Sequence, residues 1–393
     1  MSNNRTLYID KEAISALSLV KAGLLNPVQT IMNKSQTLDI IKNRTINDQL
    51  FPFPFILAPK GKRNEKILTS TTKGEVLDLI CEKEKVGELI VEETFEINPK
   101  ERLRQIYGSD DMAHPGVAST NARLGKYSIA GEYTIDTTEL ESSKRKIKEA
   151  KKRIHAKHTT AIMMASNPLH RAHERLIRQT LEKTDLVVIF LLKPYNNSGV
   201  EYSLRHTLLK YFIDNYLPKN RVIIVPLVNS YIFAGYNEVI IDAIVAKNYG
   251  CDTLTIGQNH AGIGLYYDQN SNKSIIDRLT GIDIDIDIAS EYVYCNECTT
   301  LVSTQTCPHG QHHHISYNSD SILELLKLGL LPPAVLMRKE LSAMILSSFF
   351  PDRFKNLEKL YYDILPATGL LEEHSEKDFY IELMHLYQTT SLT

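Results

Sequence analysis

The sequence predicts an α/β protein: a β-rich front part, a middle part built on a parallel sheet, and a small helical end that carries a zinc site. Three observations predict it. Up to about residue 140, short apolar stretches alternate with Pro, Gly and charged punctuation, the pattern of short strands. Past residue 158, strand-length apolar runs alternate with helix-length segments, which implies right-handed βαβ crossovers and a sheet covered on both faces. Beyond residue 290, three of the five cysteines crowd between Cys295 and Cys307. The parts are accordingly drawn at 1–158, 159–290 and 291–393.

In chain order, a helical stretch from Lys11 to Gly23 comes first, then strands at FPFPFILAP (51–59), GELIVEETFEI (87–97) and KYSIAGEYTI (126–135). Glu141 to His158 is a basic run without aromatic residues or glycines, expected to be a solvated helix face linking two parts. TTAIMMAS then reads as a buried strand, NPLHRAHERLIRQTLEK as a helix, DLVVIFLLK as a strand and YSLRHTLLKYFIDNYL as a helix. RVIIVPLV is a third strand of this part, EVIIDAIVAKNYG a helix closed by a Gly cap, and CDTLTIG a fourth strand. Helical patterns return at Ser321 to Leu328, Ala334 to Phe350 and Lys377 to Tyr387.

Composition excludes more than it names. Forty-three per cent hydrophobic and 23% charged residues fit an ordinary globular chain, and 45 basic against 47 acidic side chains leave a net charge of −2, a field that recruits no nucleic acid. The longest apolar run, Leu186 to Leu192, is seven residues, far short of the ~18 that span a membrane. Neither a nucleic acid nor a membrane is expected as partner. The polar opening MSNNRTLYIDKEAIS lacks the order of a secretory signal, so a cytoplasmic location is expected. In that reducing compartment clustered cysteines speak for metal rather than disulfides.

Ligands of open parallel sheets bind at the carboxyl ends of the strands. That rule places Ser166, Asn167, Pro168, His170 and His173 at one strand end, and Gly257 to Gly264 at another. A helix opening with Pro168 would present free backbone N–H groups to phosphate. Two histidines three residues apart would share one face of its first turn, placed to donate to a nucleotide's phosphates and to the charge that builds on leaving pyrophosphate.

The second constellation is Cys295, Cys298, Cys307 and the histidines that follow, with the spacing of a closed tetrahedral zinc site. His312 is favoured as fourth ligand because His309 stands so close to Cys307 in sequence, with His309 and His313 as alternatives. A full set of protein ligands makes such a zinc structural rather than catalytic. Cys81 and Cys251 are expected to be buried packing residues.

Five segments in order, YGSDDMAHPGV (107–117), NPLHRAH (167–173), KNYGCDTLTIG (247–257), NHAGIG (259–264) and GLLPP (329–333), resemble the ATP sulfurylase, or sulfate adenylyltransferase, family. The resemblance runs from about residue 8 to about 350 and is specific, since HRAH and AHPGV are hard to obtain together by chance. It implies a PUA-like β-rich domain followed by a Rossmann-like nucleotidylyltransferase domain related to the HxGH class. It also implies a reaction of ATP, with Mg2+ on its phosphates, and sulfate to give adenosine 5'-phosphosulfate and pyrophosphate, in sulfate assimilation. Family members often assemble as homo-oligomers, and some carry zinc on a similar segment. By the resemblance His170 and His173 stabilise the pentavalent α-phosphate and the leaving group, Asn167 takes the family's asparagine position, and Gly257, Gln258, Asn259, His260, Ala261 and Gly262 hold the adenosine and phosphates.

The departures concern sulfate. Where the family reads Gln-Thr-Arg-Asn-Pro, this chain has Met164, Ala165, Ser166, Asn167 and Pro168. The second sulfate arginine becomes Gln258, two further arginines become Ile232 and Asn237, and a family basic segment falls on Asn318 to Leu323. Each missing charge-assisted hydrogen bond to a desolvated dianion costs on the order of 1.5–3 kcal/mol. Ser166, Gln258 and Asn259 are the neutral donors that remain. Three readings follow: a sulfate adenylyltransferase, a nucleotidylyltransferase with another acceptor, and a non-catalytic nucleotide-binding homologue, which has no use for the retained histidines.

Overall fold

The protein is described by a computed structural model over residues 4–193, 199–228, 237–257, 281–365 and 373–389. It divides into two units, one of residues 1–163, 184–195 and 225–289, the other of residues 164–183, 196–224 and 290–393. The front runs β1 (Arg5–Tyr8), α1 (Lys11–Lys21), α2 (Lys34–Asn43), β2 (Thr45–Ile46), β3 (Gln49–Leu50), β4 (Leu57–Pro59), α3 (Lys62–Ser70), β5 (Val76–Cys81) and β6 (Glu84–Glu96). It continues through α4 (Pro99–Tyr107), α5 (Pro115–Arg123), β7 (Leu124–Ile135) and α6 (Thr138–Ile154). Then come β8 (Thr159–Met164), α7 (Arg171–Lys183), β9 (Leu186–Lys193), α8 (Tyr202–Tyr216), β10 (Val222–Val228), α9 (Glu238–Asn248), β11 (Thr253–Gly257) and β12 (Asp285–Ala289). The end carries β13 (Tyr292–Cys295), β14 (Thr300–Ser303), β15 (His314–Ser316), α10 (Ser319–Lys327), α11 (Lys339–Phe349), α12 (Leu357–Ile364) and α13 (Glu376–Thr389).

The front sheet has the order β1-β5-β6-β7-β4, and β6 pairs antiparallel with β7 along most of its length. A bulge between Val91 and Glu93 falls opposite Gly131, where a Cβ would lie 2.0 Å from the Ile90 carbonyl oxygen, so a side chain there would push the strands apart. The strand expected at FPFPFILAP shrinks to Leu57–Pro59. Pro52 and Pro54 have no N–H to give a ladder, and Phe51, Phe53 and Phe55 are instead buried as core.

The basic run folds as expected into a helix, α6, which buries Ser143, Ile147 and Ala150. Two of its cations have local work: Lys144 donates to the Ala22 carbonyl past the end of α1 (2.8 Å), and Lys151 to the Gly250 carbonyl past α9 (2.7 Å). Both sit where the helix dipole favours positive charge. Gly250, with φ +86°, ends α9 as predicted, its N–H and that of Cys251 closing on the carbonyls of Lys247 and Ala246.

The second large sheet has the order β10-β9-β8-β11-β12, with β11 parallel to both β8 and β12. Neighbouring parallel strands β8 and β11 therefore leave the sheet at the same edge. Every side chain from Leu186 to Leu191 on β9 is fully buried, as its continuous apolar run requires. Cys81 and Cys251 are buried, and burial pushes the Cys251 thiol up to about 12, the behaviour of inert packing residues. Among the described residues no helix is long and apolar enough to cross a membrane.

Candidate functional site

β8 ends at Met164, and the chain turns through Ala165 to His170 before α7 begins at Arg171. The expected helix opening at Pro168 is thus corrected. The Asn167–Pro168 peptide is cis, and the polar groups of the turn find partners outside a helix. Asn167 Oδ1 accepts from the Val200 N–H at 2.8 Å, and Gly199 leaves room for it, since a Cβ there would lie 2.4 Å from Asn167 Nδ2. The His170 N–H donates to His173 Nδ1 at 3.3 Å, so the third residue of α7 reaches back to its N-cap as in a capping box.

The two histidines still meet. Their rings stack at 3.8 Å, Tyr317 stacks on the His170 ring at 5.5 Å, and His170 Nε2 hydrogen-bonds with Ser319 Oγ at 3.1 Å. Since His173 Nδ1 accepts, its neutral ring carries the proton on Nε2 and presents an N–H donor. Burial, and then the charge of its neighbour, holds His170 well below the usual imidazole range, and burial draws His173 down to about 4. At neutral pH both rings are uncharged. They serve as directional hydrogen-bonding groups, and His170 Nδ1 is buried without a hydrogen-bond partner among the described residues.

That shift carries a pH prediction. The unfolded chain protonates His173 near its ordinary value of 6.5, whereas the folded chain waits until about 4, so stability rises with pH across this window. The contribution is complete above about 6.5 and is lost as pH falls toward 4, on the order of 1–3 kcal/mol. Urea unfolding at pH 7 and pH 4.5 should show a smaller difference in His173→Gln than in the parent chain; equal differences would refute the assignment.

Ser166 stands at the strand end with φ +49°, a left-handed conformation that costs a non-glycine residue on the order of 1 kcal/mol. Its side chain is 1% exposed and its hydroxyl has no hydrogen-bond partner among the described residues. A buried, orphaned hydroxyl on strained backbone suits a bound ligand.

The segment's cations are mostly committed. Arg171 donates to the Ala334 carbonyl and to Glu174, and Arg175 lies over the Tyr292 ring. Glu174 is buried and held also by Arg338 at 2.9 Å, which fixes the first turn of α7. Arg338→Ala would leave that carboxylate to Arg171 alone and should lower stability by about 1.5–3 kcal/mol, with Glu174→Gln milder, as measured by chemical denaturation. One further cation escaped the sequence reading. Arg205 of α8 is 3% exposed and donates Nη1 to the Ala165 carbonyl at 2.6 Å, one residue before Ser166, and burial lowers its pKa.

Two positions where the resemblance implies arginine, Asn237 and Leu323, have become structural. Asn237 is buried and donates to the Gln105 and Ile106 carbonyls while accepting from Arg44. Asn318 caps α10, whose Ile322 and Leu323 are buried. Met164 is buried too. Gly257 ends β11 with open space where a Cβ would stand. Ile232 and the predicted loop residues Gln258, Asn259, His260, Ala261 and Gly262 lie outside the described residues.

The cysteine cluster assembles, with one correction. The ligand atoms of Cys295, Cys298, Cys307 and His309 lie within 4.8 Å of one another, and His309 Nδ1 is 3.4, 3.3 and 3.6 Å from the three sulfurs. His309, not His312, is the fourth member. Nδ1 is the ring nitrogen nearer the backbone, so a histidine two residues past Cys307 folds back without strain, whereas His312 is exposed and packs on His313. The cluster sits on the sheet β14-β13-β15, and His314 of β15 adds an Nε2 contact to Cys307 at 3.4 Å. Three sulfurs and one imidazole are a donor set suited to tetrahedral zinc.

Residues 1–137 match the PUA-like domain family, and residues 138–348, more than half of the chain, match the ATP-sulfurylase family. The chain is 28% identical over 355 residues to the sulfate adenylyltransferase of Chloroflexus aurantiacus, covering 87% of this chain and 91% of that one. It is 29% identical over 367 residues to the enzyme of the same name from Staphylothermus marinus, covering 89% and 91%. Among solved structures, the hexameric APS kinase from Thiobacillus denitrificans superposes with a TM-score of 0.61 at 16% identity, covering 87% of this chain. This chain spans 62% of that one, and the likeness is one of fold.

Proposed function

Because the chain belongs to the ATP-sulfurylase family, we propose that it is a sulfate adenylyltransferase, joining ATP and sulfate to give adenosine 5'-phosphosulfate and pyrophosphate in sulfate assimilation. A sulfate oxygen attacks the α-phosphorus in line, and the bond to the leaving pyrophosphate breaks. The observation that carries this reading is the stacked, neutral His170–His173 pair at the end of a parallel strand. His173 Nε2–H and the His170 ring donate to the α-phosphate oxygens and the departing pyrophosphate, where charge grows most in the transition state. Ser319 and Tyr317 hold the His170 ring in place. Gly257 and the loop after it, from Gln258 to Gly262, take the nucleotide.

Glu174 is committed to arginines, so this segment offers Mg2+ no carboxylate, and the ion is expected to arrive on the triphosphate and neutralise its charge. The sulfate side of the site uses fewer cations than the resemblance implies. Ser166, Asn167, Gln258 and Asn259 offer neutral donors, and Arg205 brings a guanidinium to the carbonyl that precedes Ser166. Cys295, Cys298, Cys307 and His309 hold a structural zinc. The functional division is 1–158, 159–290 and 291–393, and the enzyme works in the cytoplasm as a homo-oligomer on small molecules.

The test is pyrophosphate release from ATP and Mg2+ with sulfate, selenate or phosphate as acceptor. Release that requires sulfate supports the proposal. The loss of cations at Ser166 and Asn237 favours a second reading, a nucleotidylyltransferase with another acceptor, and release that requires something other than sulfate would establish it.

A further inference from the structure

Each histidine of the stacked pair has one ring nitrogen tied to the protein. His173 Nδ1 accepts the His170 N–H at 3.3 Å, which leaves the proton of its neutral ring on Nε2. His170 is tied through the other nitrogen: its Nε2 lies 3.1 Å from Ser319 Oγ, while its Nδ1 is buried without a hydrogen-bond partner among the described residues. Burial keeps that ring uncharged at neutral pH, so only one of its nitrogens carries a proton. Which one depends on the direction of a single hydrogen bond.

Three observations set that direction. Ser319 stands in the first turn of α10, where Asn318 Oδ1 takes the N–H groups of Asp320 and Ser321, so the Ser319 hydroxyl has no part in the cap. Among the described residues its hydrogen-bond partner is His170 Nε2, which gives the hydroxyl proton an acceptor. A bare imidazole nitrogen is a far better acceptor than a hydroxyl oxygen, so O–H···N is the stronger of the two ways to make this bond. Tyr317 does not compete for the ring nitrogens, because it meets His170 through its ring face and donates its own hydroxyl to the Val335 carbonyl at 2.6 Å.

We propose that Ser319 is a positioning residue that donates to His170 Nε2 and so fixes the Nδ1–H tautomer, which lets the pair offer two N–H donors, His170 Nδ1–H and His173 Nε2–H, to the nucleotide's phosphates. The inference rests on the phosphate role given to the pair above. The reverse tautomer would leave a bare lone pair on the buried Nδ1, and a lone pair repels a phosphate oxygen. Ser319 thus acts through His170 and touches no reacting atom.

Nitrogen-15 NMR of the full-length protein, labelled in its histidine rings, reads the tautomer directly, since a protonated ring nitrogen and a bare one resonate far apart. Of the 13 histidines, His170 is the one whose signals vanish in His170→Gln. At neutral pH the proton is expected on Nδ1 in the parent and in Ser319→Thr, which keeps the hydroxyl. In Ser319→Ala it should move mostly to Nε2, the form a free imidazole prefers. With whichever acceptor supports pyrophosphate release, Ser319→Ala should lower kcat at least about tenfold and change the KM for ATP less than about threefold, because the lost donor matters most where charge grows in the transition state. Ser319→Thr should recover kcat to within about threefold. Since Asn318 still caps α10, the melting temperature of Ser319→Ala should move by no more than about 3 °C. The tautomer is read with no substrate present, so a failure of sulfate as acceptor shows in the choice of acceptor and a failure of this inference in the nitrogen shifts. A proton on Nε2 in the parent, an unchanged tautomer in Ser319→Ala, or a parental kcat in Ser319→Ala once its tautomer has switched would each overturn the proposal.

Discussion

His170→Ala and His173→Ala are each expected to slow sulfate-dependent pyrophosphate release by about 10²–10³-fold, the usual loss when one preorganised donor to a transition state is removed. The two effects should not add. The rings stack at 3.8 Å and the His170 N–H rests on His173 Nδ1, so removing either displaces the other. Stability should change far less than activity. His170 sits between His173, Tyr317 and Ser319, and truncation there opens a small cavity without stranding a charge, because the ring is neutral at pH 7. Single-turnover release and thermal unfolding, measured together, separate the two effects. Turnover near the parental rate in either variant removes the phosphate role.

Removal of the metal is the second large effect. Purified protein should contain about one zinc per chain, and Cys307→Ser or a strong chelator should release it with a loss of several kcal/mol of local stability. The loss should appear first in β13, β14 and β15, as faster amide exchange over residues 292–316. Its consequence reaches the histidines, because β15 leads directly into Tyr317 and Ser319, the two residues that hold the His170 ring. Activity should therefore fall with the metal even though the metal is no reactant. His309→Ala should release zinc and His312→Ala should keep it. The reverse pattern would contradict the fourth ligand assigned from the geometry.

Much of this was legible in sequence, for physical reasons that differ from place to place. The strands β8 to β11 and the helices between them stood out because buried parallel strands need continuous apolar runs and their crossover helices do not. The front was harder. FPFPFILAP reads as a strand by its short apolar run, but its prolines keep all but Leu57–Pro59 out of the ladder. Helices α2, α4 and α5 are short, and their signals lay in their caps, Asn33 with Gln36, Asn98 before Pro99 and His114 before Pro115, rather than in periodicity.

At the site, the residue types were readable and their partners were not. HRAH announced a histidine pair, but that Ser319 and Tyr317 would close on it depends on contacts far apart in sequence. Arg205 looked like any arginine on the face of a helix, and only the fold brings it to the Ala165 carbonyl. The choice between His309 and His312 turned on which ring nitrogen faces the sulfurs, a matter of turn geometry. Asn237 shows why a lost arginine need not be a defect in the fold: the asparagine fills its place with three hydrogen bonds inside the front unit.

The most direct test of sulfate as acceptor is transfer of radiolabelled sulfate into a nucleotide. Incubated with ATP, Mg2+ and labelled sulfate, the intact protein should form labelled adenosine 5'-phosphosulfate, with an inorganic pyrophosphatase present to draw the reaction forward, and His173→Ala should form almost none. Labelled product at equal rates in both proteins, or none from the intact protein while another acceptor releases pyrophosphate, would contradict the account.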